Sequence, residues 1–165
     1  FSEEGRFLEA VPLYERVLEK QPGLREAAFS LAVAKKEAGL FGEAISDFER
    51  LKDSLVDQHL LSLHLAEAYF QNHEIEEAKR VLGDLQDQDA DFLRVEIFRA
   101  EKKFGEAKVL LEKYPEHPTA LYNLTLIFMD LRNTDEAVKS FLNLKQKAPE
   151  LAKELECIEL FSREP

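Results

Sequence analysis

The sequence predicts an all-α fold, a right-handed solenoid of antiparallel helix pairs that ends in a C-terminal capping helix. A Glu-Ala pair recurs along the chain, with its alanine at Ala10, Ala44, Ala78, Ala107 and Ala137. Successive alanines lie 34, 34, 29 and 30 residues apart, and spacings of this size are typical of stacked repeats. The composition agrees, because helix-favouring Leu, Glu, Ala and Lys are abundant and there are only 6 Gly and 6 Pro.

The spacing divides the chain into repeat units within one domain that covers residues 1–165. The units have approximate bounds of 1–24 (a partial unit), 25–58, 59–89, 90–117 and 118–149, and the capping helix is expected at 150–163. The sequence starts with Phe rather than Met, so we expect a fragment of a longer protein.

The first unit is expected to contain only the second helix of a pair. Phe1 would end the preceding helix and Gly5 would make the turn. Pro12 would then lie near the start of the helix, where its missing N–H costs little. The apolar edge of this unit lacks a full partner, and it is expected to fray or to be covered by a second copy of the chain; it includes Phe7, Val11 and Tyr14.

The second unit shows the complete pattern of two amphipathic helices. The first helix carries a stripe with three-to-four spacing, formed by Ala28, Leu31, Ala32 and Lys35. Gly39 follows it and provides the conformational freedom that ends a helix. The second helix carries its own stripe at positions i, i+4 and i+7, formed by Ala44, Phe48 and Leu51. A small residue at the helix crossing lets the two backbones approach closely.

The later units repeat this arrangement with changes. In the third unit, Asn72 and His73 occupy the turn, and Asn tolerates the left-handed conformation nearly as well as Gly. The fourth unit is compressed, and its second helix stops at Pro115. The fifth unit opens with Pro118 at a helix start and closes at Pro149. A last helix follows without a partner of its own, as expected for a cap on a solenoid.

These residues resemble the tetratricopeptide repeat (TPR) family, which has a 34-residue period. The small pairs of that pattern correspond to Ala32 with Ala44 and to Ala66 with Ala78. The aromatic residue of the second helix corresponds to Tyr14, Phe48 and Phe141, and the closing proline to Pro22 and Pro149. The fourth unit departs from the pattern, with Arg94 at a position where an apolar residue is expected.

Charge and composition exclude several classes of protein. The formal net charge of −11 argues against nucleic acid as a partner, because phosphate binding needs a basic stripe. No apolar run approaches the roughly 20 residues that a membrane span requires. The single cysteine, Cys157, cannot form an internal disulfide and slightly favours a reducing compartment such as the cytoplasm.

No catalytic, cofactor or metal site is predicted. The histidines His59 and His64 are too far apart around a helix to share a ligand face. His64 and Glu67 have i, i+3 spacing, but such a pair is more often a polar pair on a helix surface than a metal site. Cys157 has no obvious His partner and is interpreted as a half-buried helix residue.

The resemblance implies that the first helices of the pairs line a concave groove that contacts partner peptides. The residues predicted to form this groove are Phe29, Val33, Lys36, Leu63, His64, Glu67, Phe70, Arg99, Tyr122, Asn123, Leu126 and Met129. Many are apolar, and exposed apolar patches usually mark interaction surfaces. The acidic residues Glu37, Glu67 and Glu96 would flank them and favour a partner with apolar anchors and basic flanks.

The predicted function is non-enzymatic protein–protein interaction within a scaffold or regulatory protein. Two alternatives remain open from the residues. The chain could be the recruiting or targeting module of a larger enzyme. It could also be a self-association domain that forms homo-oligomers through the N-terminal repeat edge.

Overall fold

A computed structural model describes residues 3–54, 56–156 and 158. Within them the chain forms helices and no strand, which confirms the predicted all-α class. The helices are α1 (Glu3–Lys20), α2 (Arg25–Glu37), α3 (Phe41–Arg50), α4 (Gln58–Gln71), α5 (Ile75–Leu82), α6 (Gln88–Ala100), α7 (Phe104–Leu111), α8 (Pro118–Asp130), α9 (Thr134–Lys147) and α10 (Pro149–Glu156).

Consecutive helices pack side by side within two compact units, Phe1–Gln86 and Asp87–Pro165. In the first unit, α1 packs on α2, α2 on α3, α3 on α4 and α4 on α5. In the second unit, α6 packs on α7, α7 on α8, α8 on α9 and α9 on α10. The contacts of α2 with α4, of α6 with α8 and of α8 with α10 add the next-neighbour packing of stacked pairs.

Four of the five recurring alanines lie in the tightest parts of this packing, whereas Ala10 in α1 is half-buried. Ala44, Ala78, Ala107 and Ala137 each expose 0% of their surface. Their partners in the small pairs, Ala32 and Ala66, are equally buried. Burial of these four alanines and of their partners confirms the prediction that the second helix of a pair carries its small residue where the backbones approach.

A left-handed residue ends the first helix of each complete pair. Its φ is 82° at Gly39, 64° at His73, 60° at Lys102 and 56° at Arg132. The next N–H in each turn donates to a carbonyl five residues back; at Gly39 this bond joins Leu40 N to Lys35 O at 2.8 Å. The bond satisfies a carbonyl that the helix end leaves without an intrahelical partner.

The turn at Gly39 was predicted, whereas the third-unit turn differs from expectation. His73 adopts the left-handed conformation, and Asn72 before it has a φ of −85°. The reason is register, since His73 lies 34 residues after Gly39 and the helix ends at the same repeat position. The repeat register therefore decides which residue adopts the left-handed conformation, even where the adjacent Asn72 would tolerate that conformation better than His73.

The N-terminal helix corrects two expectations. Gly5 makes no turn, because α1 begins at Glu3 and continues through it. Pro12 consequently lies inside α1 rather than near its start. A proline in this place cannot donate the usual i to i−4 hydrogen bond, so the carbonyl of Leu8 must find another partner.

The C-terminal helix α10 covers the apolar face of the last pair. Its Ala152 and Leu155 join a buried cluster with residues of α8 and α9, namely Leu121, Phe141 and Leu144. This confirms a capping helix, which the structure describes as far as Glu156. Cys157 and the rest of the segment expected to reach residue 163, except Ile158, lie outside the described residues.

Candidate functional site

An open groove of about 300 Å³ lies in the first unit between α1, α2 and α4. Its lining is mostly apolar or aromatic and consists of Phe7, Ala10, Tyr14, Phe29, Ser30, Val33, Ala34 and His64. Phe29, Val33 and His64 belong to the predicted groove residues. The fold therefore brings three of them, from two different helices, to one cavity surface.

Ring contacts hold Phe29 and His64 in place along this groove. The ring centroids of Phe29 and His64 lie 5.6 Å apart in an edge-on arrangement. Phe48 of α3 supports both, since its centroid is 5.8 Å from that of Phe29 and 6.1 Å from that of His64. Aromatic pairs at these separations are favourable beyond their area burial, so the groove wall is preorganised.

Lys36, another predicted groove residue, is buried and bonded to α4. Its Nζ lies 3.0 Å from His64 Nδ1 and 3.0 Å from a carboxylate oxygen of Glu37, and it also donates to Glu67. An ammonium group can only donate, so His64 Nδ1 must accept, and the imidazole proton resides on Nε2. The groove therefore presents a neutral imidazole, and hydrogen bonds to His64 and Glu67 hold Lys36 in place beside it.

The pKa of His64 is lowered for reasons visible in this geometry. Burial disfavours the imidazolium, and the charge of Lys36 acts in the same direction. The carboxylates of Glu67 and Glu37 oppose both effects without cancelling them. The neutral form of His64 is thus the one that matches the native packing.

Two further predicted residues of α4 lie deeper or farther along the helix. Leu63 exposes only 9% of its surface and belongs to the core of the first unit. Phe70 is half-buried, in the last turn of α4. Of the predicted residues in this unit, Phe29, Val33 and His64 line the cavity, whereas Lys36 and Glu67 form the bonded layer beside it.

The second unit holds the other five predicted groove residues. Arg99 donates from Nη2 to Asp130 at 3.0 Å. Asn123 is buried, and its amide donates to the Thr119 carbonyl of its own helix at 2.9 Å. Tyr122 and Leu126 are half-buried against the cluster that includes α10, and Met129 is also half-buried. In this unit the capping helix α10 therefore covers part of the α8 surface that was predicted to line the groove.

A second open cavity, of about 740 Å³, lies at the N-terminal ends of α2 and α4. Phe29 and Ser30 line both cavities. The remaining lining residues are Gly23, Leu24, Arg25, Glu26, Val56, Asp57 and Leu60. Asp57 is already engaged there, because its carboxylate accepts from the backbone N–H groups of His59 and Leu60. Phe29 and Ser30 thus connect the two cavities, which together extend from the N-terminal end of α2 to Ala34.

The described residues offer neither a metal cluster nor a membrane span. Among them, no group of three or more His, Cys, Asp or Glu side chains could hold a metal ion. No helix within the described ranges combines the length and the apolar character needed to cross a bilayer.

Comparison with known families identifies the repeats. Models described as tetratricopeptide repeat match residues 1–57 and 120–154, which together make up more than half of the chain. The chain belongs to the TPR family. The first segment covers α1, α2 and α3, and the second covers α9, most of α8 and most of α10. The TPR pattern therefore accounts for the groove-bearing helices α1 and α2 directly.

Solved structures of other TPR proteins share the fold. A thermophilic TPR protein from Thermus thermophilus superposes with a TM-score of 0.78, with 20% identity over 96% of this chain and 92% of its own. YrrB, described as a TPR protein with an unusual peptide-binding site, gives a TM-score of 0.62 and 18% identity over 93% of this chain and 85% of its own. No curated protein sequence matches the chain.

Sequence reasoning missed the contribution of α1 to the groove. Phe7 and Tyr14 were predicted to belong to an apolar edge and Ala10 to be a recurring crossing alanine, but none of them was predicted to line a cavity with Phe29. The signal was present in the repeat register, because Ala10 and Tyr14 occupy the positions of Ala44 and Phe48 in the next repeat. The bond from Lys36 to His64 had no such signal, since it joins residues 28 positions apart.

Proposed function

We propose that this TPR chain is a non-enzymatic protein-interaction module that binds a segment of another protein in the groove between α1, α2 and α4. The supporting observation is the convergence of Phe29, Val33 and His64, from α2 and α4, on one open cavity. Concave, mostly apolar surfaces with a few polar groups are the usual form of a binding site. The peptide-binding site of YrrB, a protein of the same fold, adds support.

The groove chemistry favours a ligand with apolar anchors and basic flanks. Phe7, Tyr14 and Phe29 offer aromatic surface for an apolar side chain. Beside them Glu37 and Glu67 share the single ammonium group of Lys36, which leaves an excess of negative charge. Together with the formal net charge of −11, this excess would attract a basic segment and speed its association.

The second-unit residues form a separate part of the proposal. Arg99, Tyr122, Asn123, Leu126 and Met129 are proposed to contact a partner from α6 and α8. Asn123 is buried and bonded to its own helix, so it is the least available of them to a partner. Tyr122 and Leu126 would contribute only the parts of their side chains that the cap leaves exposed.

Selection from a displayed peptide library tests the function with the full chain as bait. We expect enriched peptides to combine apolar anchors with Lys or Arg, and to bind wild-type protein measurably in calorimetry. Phe29→Leu and Val33→Asp should weaken binding about tenfold or more, as for residues at the centre of an interface. Leu13→Ser, at a residue of α1 that is 61% exposed and does not line the groove, is the matched control.

The outcome is decisive once folding is checked by circular dichroism melting. Folded groove variants that bind like wild type would place the peptide elsewhere and contradict the proposed site. Failure of the library to yield any peptide that responds to these variants would also count against the function.

A further inference from the structure

A hydrogen bond beside the groove links the first helices of two successive pairs. It joins Nζ of Lys36 in α2 to Nδ1 of His64 in α4 at 3.0 Å. Because an ammonium group can only donate, this bond exists only while Nδ1 of His64 carries no proton. The link lies between α2 and α4, and α1 takes no part in it.

The surroundings of the two side chains leave them little room to move apart. The side chain of Lys36 exposes 7% of its surface and that of His64 exposes 23%. The imidazole lies edge-on to Phe29, with 5.6 Å between the ring centroids, and stacks on Phe48 at 6.1 Å. His64 therefore cannot turn away from Lys36 without disturbing its contact with Phe29, which also lines the groove.

The charges that act on His64 come from α2 and from its own helix. In α2 they are the ammonium group of Lys36 and the carboxylate of Glu37. In α4 the carboxylate of Glu67 has an oxygen 3.8 Å from Nδ1 of His64. Burial and the charge of Lys36 lower the pKa of His64, and the two carboxylates offset this only in part.

The other helices near the imidazole contribute uncharged groups. α3 packs against it with the ring of Phe48, and Tyr14 of α1 is a titratable residue that lines the same cavity. Among the described residues, no charge from α3 or α5, which also pack on α4, acts on His64. The protonation of His64 is thus governed by its pairing with Lys36 and by the nearby carboxylates.

We propose that His64 makes the groove acid-sensitive, so that uptake of one proton at Nδ1 releases a bound segment of a partner protein. The proton removes the acceptor of Lys36 and leaves two cations side by side. The imidazolium then moves towards Glu67 and away from the ring of Phe29. It also adds positive charge to a groove whose proposed ligand is basic. This inference rests on the proposed interaction function and adds its regulation by pH.

The direction of the pH effect follows from the neutral state of the native imidazole. Affinity should be constant above the ordinary histidine pKa of 6.5 and should fall as the pH drops through the lower pKa of His64 in the folded chain. Linkage requires the reverse effect as well, so binding of the segment to the protonated chain should expel the proton.

A peptide with a constant charge is the probe for this effect. It is a library-selected peptide without His, Asp or Glu, acetylated and amidated, titrated into the full chain by calorimetry from about pH 7.5 to about pH 5. We expect the affinity to fall about fivefold, as for a like-charge contact at a partly exposed site. Titrations near pH 6, in buffers that differ in ionisation enthalpy, should show release of protons on binding.

Three variants assign the effect to its residues. His64→Gln keeps an acceptor for Lys36 and does not titrate, so its affinity should be independent of pH, whatever its value at neutral pH. Lys36→Met removes the opposing ammonium group, so the loss of affinity should begin at a higher pH than in wild type. The matched control is His59→Gln, which is exposed on α4 outside the groove lining and should keep the wild-type pH dependence.

The results separate this inference from the proposed function. If peptides bind through Phe29 with equal affinity over the whole pH range, or if His64→Gln retains the loss, acid release is wrong and the interaction function stands. If no peptide binds, the function itself fails. NMR of the chain without peptide then still tests the device, because titration of the His64 ring should shift the signals of Phe29, and its titration without such shifts would overturn the inference.

Discussion

Lys36 of α2 and His64 of α4 are joined by a hydrogen bond, with 3.0 Å between Nζ and Nδ1. This bond fixes His64 as a neutral acceptor and links the first helices of two successive pairs. The same imidazole lines the groove, so protonation of His64 should affect both the stability of the first unit and the shape of its candidate site.

Stability is predicted to fall as the pH drops below the ordinary histidine pKa of 6.5. The pKa of His64 is lowered in the folded state, so the unfolded chain binds the proton first and gains from it. The loss begins near pH 6.5 and continues until the pH reaches the folded-state pKa. Melting temperatures measured from about pH 7.5 to about pH 5.5 should show it.

His64→Gln is the control for this pH dependence, because a glutamine keeps an acceptor for Lys36 and does not titrate. The variant should melt with a flatter pH profile over that range. An unchanged profile would assign the effect to other groups.

The crossing alanines should differ in their tolerance of a larger side chain. Ala44→Leu is expected to lower the free energy of unfolding by about 1–3 kcal/mol, because the leucine overpacks a fully buried helix crossing. Ala10→Leu, at the same repeat position, should be nearly neutral because Ala10 borders the open groove. Urea unfolding of both variants measures the difference. Equal losses of stability would contradict the distinction between the buried crossing at Ala44 and the open groove at Ala10.

Glycine is predicted to stabilise the turns that use a left-handed residue of another type. His73→Gly, Lys102→Gly and Arg132→Gly should each raise the free energy of unfolding by about 0.5–1 kcal/mol, since the relief of strain exceeds the extra entropy of the unfolded chain. Thermal or urea unfolding measures the change. Losses of stability would show that the side chains make contacts worth more than the strain.

The reverse substitution at the first turn should destabilise. Gly39→Ala forces an alanine to a φ of 82° and is expected to cost about 1 kcal/mol, although no atom lies within 4 Å of the added Cβ. Gly42→Ala is the matched control, because Gly42 lies within α3, has equally open surroundings and needs no positive φ. It should keep or slightly raise stability.

Asp91 of α6 should be essential for the second unit. Its buried carboxylate accepts from Tyr114 at 2.7 Å, from Arg94 at 3.0 Å and from Lys113 at 3.3 Å. Asp91→Ala is expected to cost about 2–4 kcal/mol, because it leaves donors without their acceptor. Tyr114→Phe removes a single bond and should cost about 1 kcal/mol. If unfolding experiments show the two variants to be alike, the carboxylate does not act as a shared acceptor.

The fold could be predicted because its determinants are local and repeated. Ala44 and Gly39 reveal a helix crossing and a turn through residue type and spacing alone. Gly5 has the same type and register as Gly39 but lies within α1, so a glycine at this repeat position does not by itself make the turn. His73 was overlooked as the left-handed residue because side-chain preference pointed to Asn72, whereas the repeat register decided the outcome.

The candidate site was predictable only in part, for a physical reason. Phe29 and His64 could be assigned to one face from helical periodicity and the TPR resemblance. The contribution of α1 to the groove and the hydrogen bond from Lys36 to His64 depend on contacts between helices, and these follow from packing angles that residue spacing does not encode. The capping helix α10 likewise packs on α8, and Tyr122 and Leu126 contact a cluster there that the repeat pattern alone does not reveal.

Nearest-neighbour packing also has a kinetic consequence. Among the described residues, every helix within a unit packs on helices one or two places away along the chain. Native contacts thus span short stretches of sequence, and a low contact order of this kind is associated with folding in about microseconds to milliseconds. Each pair can gain its stabilising neighbours soon after it is synthesised, so nascent chains should expose their apolar stripes only briefly.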